Sequence, residues 1–103
     1  MAISKINTGP DGTKYLKFYC VGCRSFENIP IERNGAPFWE FSGTEQNPTL
    51  SPSVKHSEIN EKGEPIQTIC HYNLIDGFLN YCADCVHEFK SQRVPLPEMN
   101  FDQ

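Results

Sequence analysis

Alternation between apolar and polar residues is the clearest pattern along this chain, and it predicts β-strands. In residues 14–20, Leu16, Phe18 and Cys20 occupy every second position and polar or amphipathic residues separate them. A period of two is typical of a strand with one buried face. Further strands are predicted at 26–31 and 53–59, the first of them at a sheet edge because Pro30 cannot donate to a ladder, and the aromatic segment 37–41 is expected to be extended.

The strongest local signal is a hairpin around Asp76-Gly77, which separates the segments 66–75 and 78–84. Asp-Gly between alternating segments is typical of a two-residue hairpin turn. With these two residues in the turn, partner residue numbers add up to 153. One face then carries Cys70, Tyr72, Leu74, Leu79, Tyr81 and Cys85, and the other carries His71, Asn73, Asn80, Cys82 and Asp84.

Turn-forming residues divide the rest of the chain. They predict a turn-rich leader at 7–12, tight turns at Asn34-Gly35 and 60–63, and a long loop at 42–52. A helical turn is predicted after Cys85 as far as Lys90, and residues 94–97 are expected to be extended. No segment has sustained helical periodicity. The chain is therefore predicted to be a mainly β, small single-domain antiparallel fold over residues 1–103.

Length and composition indicate that this fold needs additional stabilisation. The chain has 103 residues, 38% of them hydrophobic, with 7 glycines and 8 prolines. A loop-rich domain of this size buries a modest core and usually relies on a disulfide or a metal. Five cysteines are present, and the odd number excludes a complete set of disulfides.

Charge and hydropathy limit the function classes. The formal net charge is -4 and the pI is about 5.2, and the scattered lysines form no basic face for nucleic acid. No run reaches the roughly 18–20 apolar residues of a membrane span, and the N-terminus has no apolar secretory segment. We therefore expect no nucleic-acid or membrane partner and a cytoplasmic location, where paired cysteines more often bind metal than form disulfides. The sequence predicts no particular oligomeric state.

The cysteine spacing predicts one structural zinc ion. Cys20-Val21-Gly22-Cys23 has the spacing of a zinc knuckle, and a structural zinc needs two more ligands. The predicted hairpin register places Cys70 and Cys85 as diagonal neighbours on one face, so these four cysteines are the predicted ligands. His87 lies on the same side and is an alternative to one of them. Cys82, on the opposite face, is left over.

The opposite face of the hairpin brings together His71 and Asp84. A carboxylate beside an imidazole orients the ring, as in a Ser-His-Asp triad, and Ser53 precedes the hairpin as a candidate nucleophile. Spacing alone favours the simpler interpretation, in which His71 is a structural histidine and Ser53 a hydroxyl at the start of a strand.

Together with further motifs, these residues make the chain resemble a family of small phage and bacterial proteins of the DUF6527 type. The resemblance spans residues 16–97 and rests on Cys20-x-Gly22-Cys23, Trp39-x-Phe41-x-Gly43, Pro48-Thr49-x-x-Pro52-Ser53, Cys70-His71, Asp84-Cys85-x-His87, Gln92 and Leu96-Pro97. Members often carry the label ammonia monooxygenase, which does not suit so short a chain. Relatives in bacterial ubiquitin-like operons look like peptidases.

The resemblance implies roles for individual residues. It implies that Cys20, Cys23, Cys70 and Cys85 bind zinc, that Ser53, His71 and Asp84 are catalytic, and that His87 is a ligand or a second active-site group. It also implies a ubiquitin-like or other peptide substrate, in the host cytoplasm for a phage protein. The chain departs from the family pattern where Val21, Arg24 and Glu27 replace Pro, Gly and His, and at Lys90-Ser91 and Cys82.

Three hypotheses follow. The leading one is a zinc-stabilised serine-type peptidase or acyl hydrolase. The second is a non-catalytic zinc module that binds a host or phage protein through Phe38 and Trp39. The third is a hydrolase with a catalytic zinc bound by His71 and His87. A separation of about 3 Å between the Ser53 hydroxyl and His71 favours the first.

Overall fold

The computed structural model describes residues 2–32 and 38–101, and these residues form strands, turns and extended segments without a helix. Within these two ranges there are nine strands: β1 (Ser4–Thr8), β2 (Lys14–Cys20), β3 (Ser25–Glu32), β4 (Glu40–Gly43), β5 (Pro48–Ser51), β6 (Val54–Ile59), β7 (Pro65–Ile75), β8 (Phe78–Tyr81) and β9 (Arg93–Pro95). The prediction of a mainly β, antiparallel fold is confirmed.

The strands form three antiparallel sheets. Their orders are β1-β2-β3, β4-β5 and β6-β7-β8-β9, so every neighbouring pair is also consecutive in sequence. Hairpin connections of this kind need only short turns. Strands close in sequence can therefore pair without crossover connections.

The alternation in residues 14–20 predicts β2 correctly. Leu16, Phe18 and Cys20 are fully buried, while the intervening side chains are partly exposed. β3 lies at the edge of its sheet as Pro30 indicates, and the ladder between β2 and β3 shifts register next to this residue. The burial of one face carries Cys20 into the interior at the end of β2.

The central hairpin has the predicted register. The pairs run from Tyr72 and Tyr81 to Ile75 and Phe78, so all partner numbers add up to 153. Asp76 and Gly77 have φ values of 50° and 78°, the left-handed conformation that this turn requires. The predicted inner face is buried throughout, and it consists of Cys70, Tyr72, Leu74, Leu79, Tyr81 and Cys85.

The predicted loop at 42–52 is wrong in part, because β4 and β5 form a hairpin there. Each has four residues, too few for alternation to distinguish a strand from a loop. β5 is held against the central hairpin: Gly77 N donates to Pro48 O at 2.9 Å and Asp76 N donates to Thr49 Oγ1 at 2.9 Å. These bonds fix the segment that leads into Ser53.

Other element boundaries also differ from the predictions. β1 occupies part of the predicted leader and pairs with β2. The strand after the Asp76-Gly77 turn ends at Tyr81 rather than residue 84, and residues 85–90 contain turns but no helix. The predicted Asn34-Gly35 turn lies outside the described residues. In the described part of the chain, no helix is long and apolar enough to span a membrane.

Candidate active site and metal centre

Ser53, His71 and Asp84 form a continuous chain of hydrogen-bonding groups. Ser53 Oγ lies 3.0 Å from His71 Nε2, and His71 Nδ1 lies 3.1 Å and 3.2 Å from the two carboxylate oxygens of Asp84. The imidazole therefore contacts the hydroxyl through one nitrogen and the carboxylate through the other. The Ser53–His71 distance is the one that the peptidase hypothesis requires.

Backbone pairing brings the three residues together. Ser53 immediately precedes β6, and the register places Lys55 of β6 opposite His71 in β7. Asp84 follows β8, and Cys82 N donates to His71 O at 2.8 Å just before it. The two strands that flank β7 thus deliver one group to each side of the imidazole.

This arrangement can perform acid–base chemistry on a hydroxyl. When Nδ1–H donates a hydrogen bond to Asp84, the neutral ring has a free lone pair on Nε2. This lone pair can accept the Ser53 proton. The His71 side chain is 24% exposed and that of Asp84 is 45% exposed. Solvent and a substrate can therefore reach the group, but water also competes for the Asp84 carboxylate.

A separate cluster of thiols lies on the buried side of the same hairpin. The Sγ atoms of Cys20, Cys23 and Cys70 all lie within 4.8 Å of one another. Cys20 ends β2, Cys23 closes the following turn, and Cys70 lies on the inner face of β7. The predicted separation of the cysteine face from the His71 face agrees with the burial of Cys70 and the partial exposure of His71.

The geometry of the three thiols fits a zinc ion. Tetrahedral zinc with bonds of about 2.3 Å to sulfur separates two sulfurs by about 3.8 Å. Cys20 Sγ and Cys70 Sγ are 3.7 Å apart. Cys23 N also lies 3.4 Å from Cys20 Sγ, so the knuckle backbone points a donor at a thiolate. Cys20, Cys23 and Cys70 are therefore compatible with a structural metal ion.

The pKa values of the three thiols are shifted in different directions. Hydrogen bonds from Cys23 and then Cys70 lower the pKa of the Cys20 thiol far below its usual range. The same hydrogen bonds to Cys20 raise the pKa of Cys23 and of Cys70. These hydrogen bonds therefore favour ionisation of Cys20 over ionisation of Cys23 or Cys70.

Two polar groups around the thiols were not identified by sequence reasoning. Tyr81 Oη lies 3.1 Å from Cys20 Sγ and accepts a 3.0 Å hydrogen bond from Gly22 N. Glu27 is buried and lies within hydrogen-bonding distance of Cys23, and burial raises the pKa of its carboxyl. Tyr81 could have been found, because the hairpin register places it on the face of Cys70. Glu27 stands where the family pattern that the chain resembles has histidine, and this replacement is the one sequence signal that pointed to the position.

His87 contacts the cluster, as its proposed role beside the cysteines requires. Its Nε2 lies 3.3 Å from Cys70 Sγ, and a Cβ added to Gly22 would clash with this nitrogen. Only glycine at the knuckle turn permits so close an approach. Phe89 N donates to His87 Nδ1 at 3.2 Å, so the proton of a neutral ring lies on Nε2 and points to Cys70.

Cys85 is not brought into the three-thiol cluster. Its Sγ accepts a hydrogen bond from His71 N and donates one to His71 O, both at 3.1 Å. The thiol therefore anchors the backbone of His71 in this structure, and the assignment of Cys85 as a zinc ligand stays a prediction. Cys82 lies on the His71 face, apart from the thiol cluster, as the register predicts.

The positions of His71, His87, Phe38 and Trp39 bear on the other two hypotheses, the catalytic zinc and the non-catalytic binding module. His71 belongs to the Ser53–Asp84 group and His87 contacts Cys70, and in the described part of the chain no metal-type cluster contains both histidines. Phe38 is exposed, whereas Trp39 is partly buried against the core. Arg24 has a φ of 56°, as expected for a position where the family pattern has glycine.

One comparison with known proteins finds a family whose model matches most of the chain. Residues 3–82 match the model of a family described as bacterial ubiquitination-like system serine protease (BubE). The match contains Ser53 and His71 and ends two residues before Asp84. No curated protein and no solved structure matches the chain.

Proposed function

We propose, because the chain belongs to the BubE family of bacterial ubiquitination-like system serine proteases, that Ser53, His71 and Asp84 hydrolyse an acyl bond in a protein substrate. The observation that carries this proposal is the 3.0 Å contact between Ser53 Oγ and His71 Nε2. A second contact, between His71 Nδ1 and Asp84, supports it. The family description supports the reaction type, and these two contacts support the choice of residues.

In the proposed reaction, Ser53 Oγ attacks the carbonyl carbon of the scissile bond while His71 Nε2 takes its proton. Asp84 holds the ring in the tautomer that accepts at Nε2 and stabilises the imidazolium that forms. His71 then gives the proton to the leaving group as the acyl bond breaks. A water molecule, deprotonated by His71, hydrolyses the Ser53 ester and regenerates the hydroxyl.

A structural zinc ion is the second part of the proposal. Cys20, Cys23 and Cys70 would hold it, and it would neutralise their charge and link β2 to β7. The fourth position is open to Cys85, as the hairpin register predicts, or to His87, and the 3.3 Å contact with Cys70 favours His87. Ligation through Nε2 requires that the His87 proton move to Nδ1 and that the Phe89 bond be lost.

The substrate class follows from the family. A ubiquitin-like protein or one of its conjugates is proposed as the substrate, because the family description places these proteases in a ubiquitination-like system. The narrower resemblance to DUF6527-type phage proteins and the cytoplasmic location stay predictions.

A fluorophosphonate probe tests the catalytic assignment without knowledge of the substrate, because it phosphonylates an activated serine hydroxyl. We expect labelling at Ser53, located by mass spectrometry of the labelled peptide, and its loss in Ser53→Ala. Ser51→Ala is the matched control, since Ser51 is an exposed serine two residues away. Labelling that survives in Ser53→Ala would exclude Ser53 as the nucleophile.

Cobalt substitution tests the metal assignment. The intensity of the thiolate-to-cobalt charge-transfer bands increases with the number of thiolate ligands. We expect the bands to weaken in Cys70→Ser, and to persist with a changed ligand-field spectrum in His87→Ala if His87 is the fourth ligand. An unchanged spectrum in His87→Ala together with a loss of intensity in Cys85→Ser would assign Cys85 instead.

A further inference from the structure

A second group of metal-ligating atoms lies on the active-site face and includes the cysteine that the zinc prediction leaves over. A ring nitrogen of His71, Cys82 Sγ and a carboxylate oxygen of Asp84 all lie within 4.8 Å of one another. The hydrogen bond from Cys82 N to His71 O fixes the spacing between the two backbones. The backbone pairing of Cys82 with His71 therefore holds these two side chains close together.

The three atom types match the ligands that zinc and cadmium prefer. Thiolate, imidazole and carboxylate are the ordinary protein ligands of zinc, and three of them leave one position for water. All three side chains are accessible to some degree: His71 and Cys82 are partly buried and Asp84 is exposed. An ion can enter and leave from solvent, in contrast to the buried thiols of Cys20 and Cys70.

The ligand nitrogen on the Asp84 side is Nδ1, since Nε2 faces Ser53. An ion bound there takes the place of the Nδ1 proton. The Nδ1 proton moves to Nε2 through solvent, and the Cys82 thiol proton passes to water, so that one proton leaves the protein. The ring then donates from Nε2 to Ser53 instead of accepting from it, and the general base is lost.

We propose that His71, Cys82 and Asp84 form a reversible site for a thiophilic divalent cation, zinc or cadmium, whose occupancy inhibits the hydrolase. The inhibitory half rests on the proposed function, whereas the binding site does not. Cys82 has no place in the proposed reaction, so its removal separates cation binding from catalysis.

The experiment uses the full chain carrying its structural zinc, titrated with cadmium in a buffer that does not bind metal. The thiolate-to-cadmium absorption measures occupancy, and protein-bound metal is counted after gel filtration. The titration is repeated on zinc-loaded Cys82→Ala. We expect wild type to bind one more equivalent than Cys82→Ala, together with an additional absorption band.

Fluorophosphonate labelling supplies the second measurement. At a free ion concentration ten times the dissociation constant, labelling of wild type slows about tenfold, because only the ion-free fraction reacts. Dilution restores the rate. Cys82→Ala is labelled at the wild-type rate both with and without the ion.

The outcomes separate the two proposals. Equal metal uptake by wild type and Cys82→Ala overturns the cation site, whatever the labelling shows. Equal slowing of labelling in both proteins overturns inhibition through this site. Additional uptake by wild type in a protein that the probe never labels supports the cation site and contradicts the proposed hydrolase.

Discussion

Replacement of Asp84 by asparagine is the most direct test of how the candidate triad works. The substitution keeps the size of the side chain but removes its charge. The new amide can also present N–H to His71 Nδ1, which leaves the proton of a neutral ring on Nε2. In that tautomer the ring cannot accept the Ser53 proton, so the substitution should slow the reaction without altering the fold.

The magnitude follows from the contacts of Asp84. Its carboxylate accepts from His71 Nδ1 at 3.1 Å, and a hydrogen bond to a charged group contributes about 1.5–3 kcal/mol. At about 1.4 kcal/mol for each factor of ten, the labelling rate should fall about 10- to 150-fold. A fully buried triad aspartate gives a loss of about 10⁴. The smaller value applies here because the Asp84 side chain is 45% exposed and water can replace part of its effect.

The assay is the second-order rate constant of fluorophosphonate labelling, measured for wild type, Asp84→Asn and Ser53→Ala. Asp76→Asn is the matched control: Asp76 is exposed, lies in the hairpin turn, and has a left-handed φ of 50° that asparagine tolerates. We expect it to react at the wild-type rate. Thermal unfolding of each variant checks that the fold is retained.

A labelling rate for Asp84→Asn within about twofold of wild type would refute the role assigned to the carboxylate, since about 0.4 kcal/mol is less than a hydrogen bond to a charged group contributes. A similar loss in Asp76→Asn would refute it as well. That result would show that labelling responds to hairpin charge in general and not to the contact with His71.

Four further predictions concern the metal and the hairpin. Removal of the proposed zinc with a strong chelator should unfold the chain, because structural zinc contributes on the order of 10 kcal/mol to the free energy of folding. Circular dichroism measures the unfolding, and an unchanged spectrum after chelation would contradict this prediction. Zinc binding should release about three protons if His87 is the fourth ligand and about four if Cys85 is, because the cysteine thiols of the unfolded, zinc-free chain are protonated near neutral pH. Calorimetry in buffers of different ionisation enthalpy measures these protons, and the apparent affinity for zinc should fall as pH falls. Cys85→Ala should lower the free energy of unfolding by about 1–3 kcal/mol in denaturant titration, because the backbone of His71 loses two hydrogen bonds. Gly77→Ala should lower the melting temperature, because φ is 78° and the new Cβ meets Ile3 Cδ1 at 3.1 Å; an unchanged value would contradict the turn geometry.

Local patterns predicted the parts of the fold that local physics decides. Alternation identified β2 because one face of that strand is fully buried, and Asp76-Gly77 identified the hairpin because few residues adopt its left-handed turn. The same reasoning missed β4 and β5, whose position depends on bonds to Pro48 and Thr49 from residues almost thirty positions later. No local pattern contains such a contact.

For the candidate site, the register of one hairpin was enough to separate two chemistries. Because side chains alternate along a strand, knowing that Cys70 faces inward also places His71 on the outer face. The sequence by itself therefore determined which residues of the paired strands share a face, whereas Asp84 lies in the turn after β8 and its position is set by the tertiary structure.

Distances between residues on different hairpins were decided only by the tertiary structure. The pairing of β6 with β7 brings Ser53 to 3.0 Å from His71, and the packing of β2 on β7 brings Cys20 to 3.7 Å from Cys70. The tertiary structure also places Cys85 against the backbone of His71 and His87 beside Cys70. The hairpin register alone does not decide which of the two lies nearer the thiols. The physical reason is that alternation fixes the face on which a side chain lies, whereas the distance across that face depends on how separate strands pack.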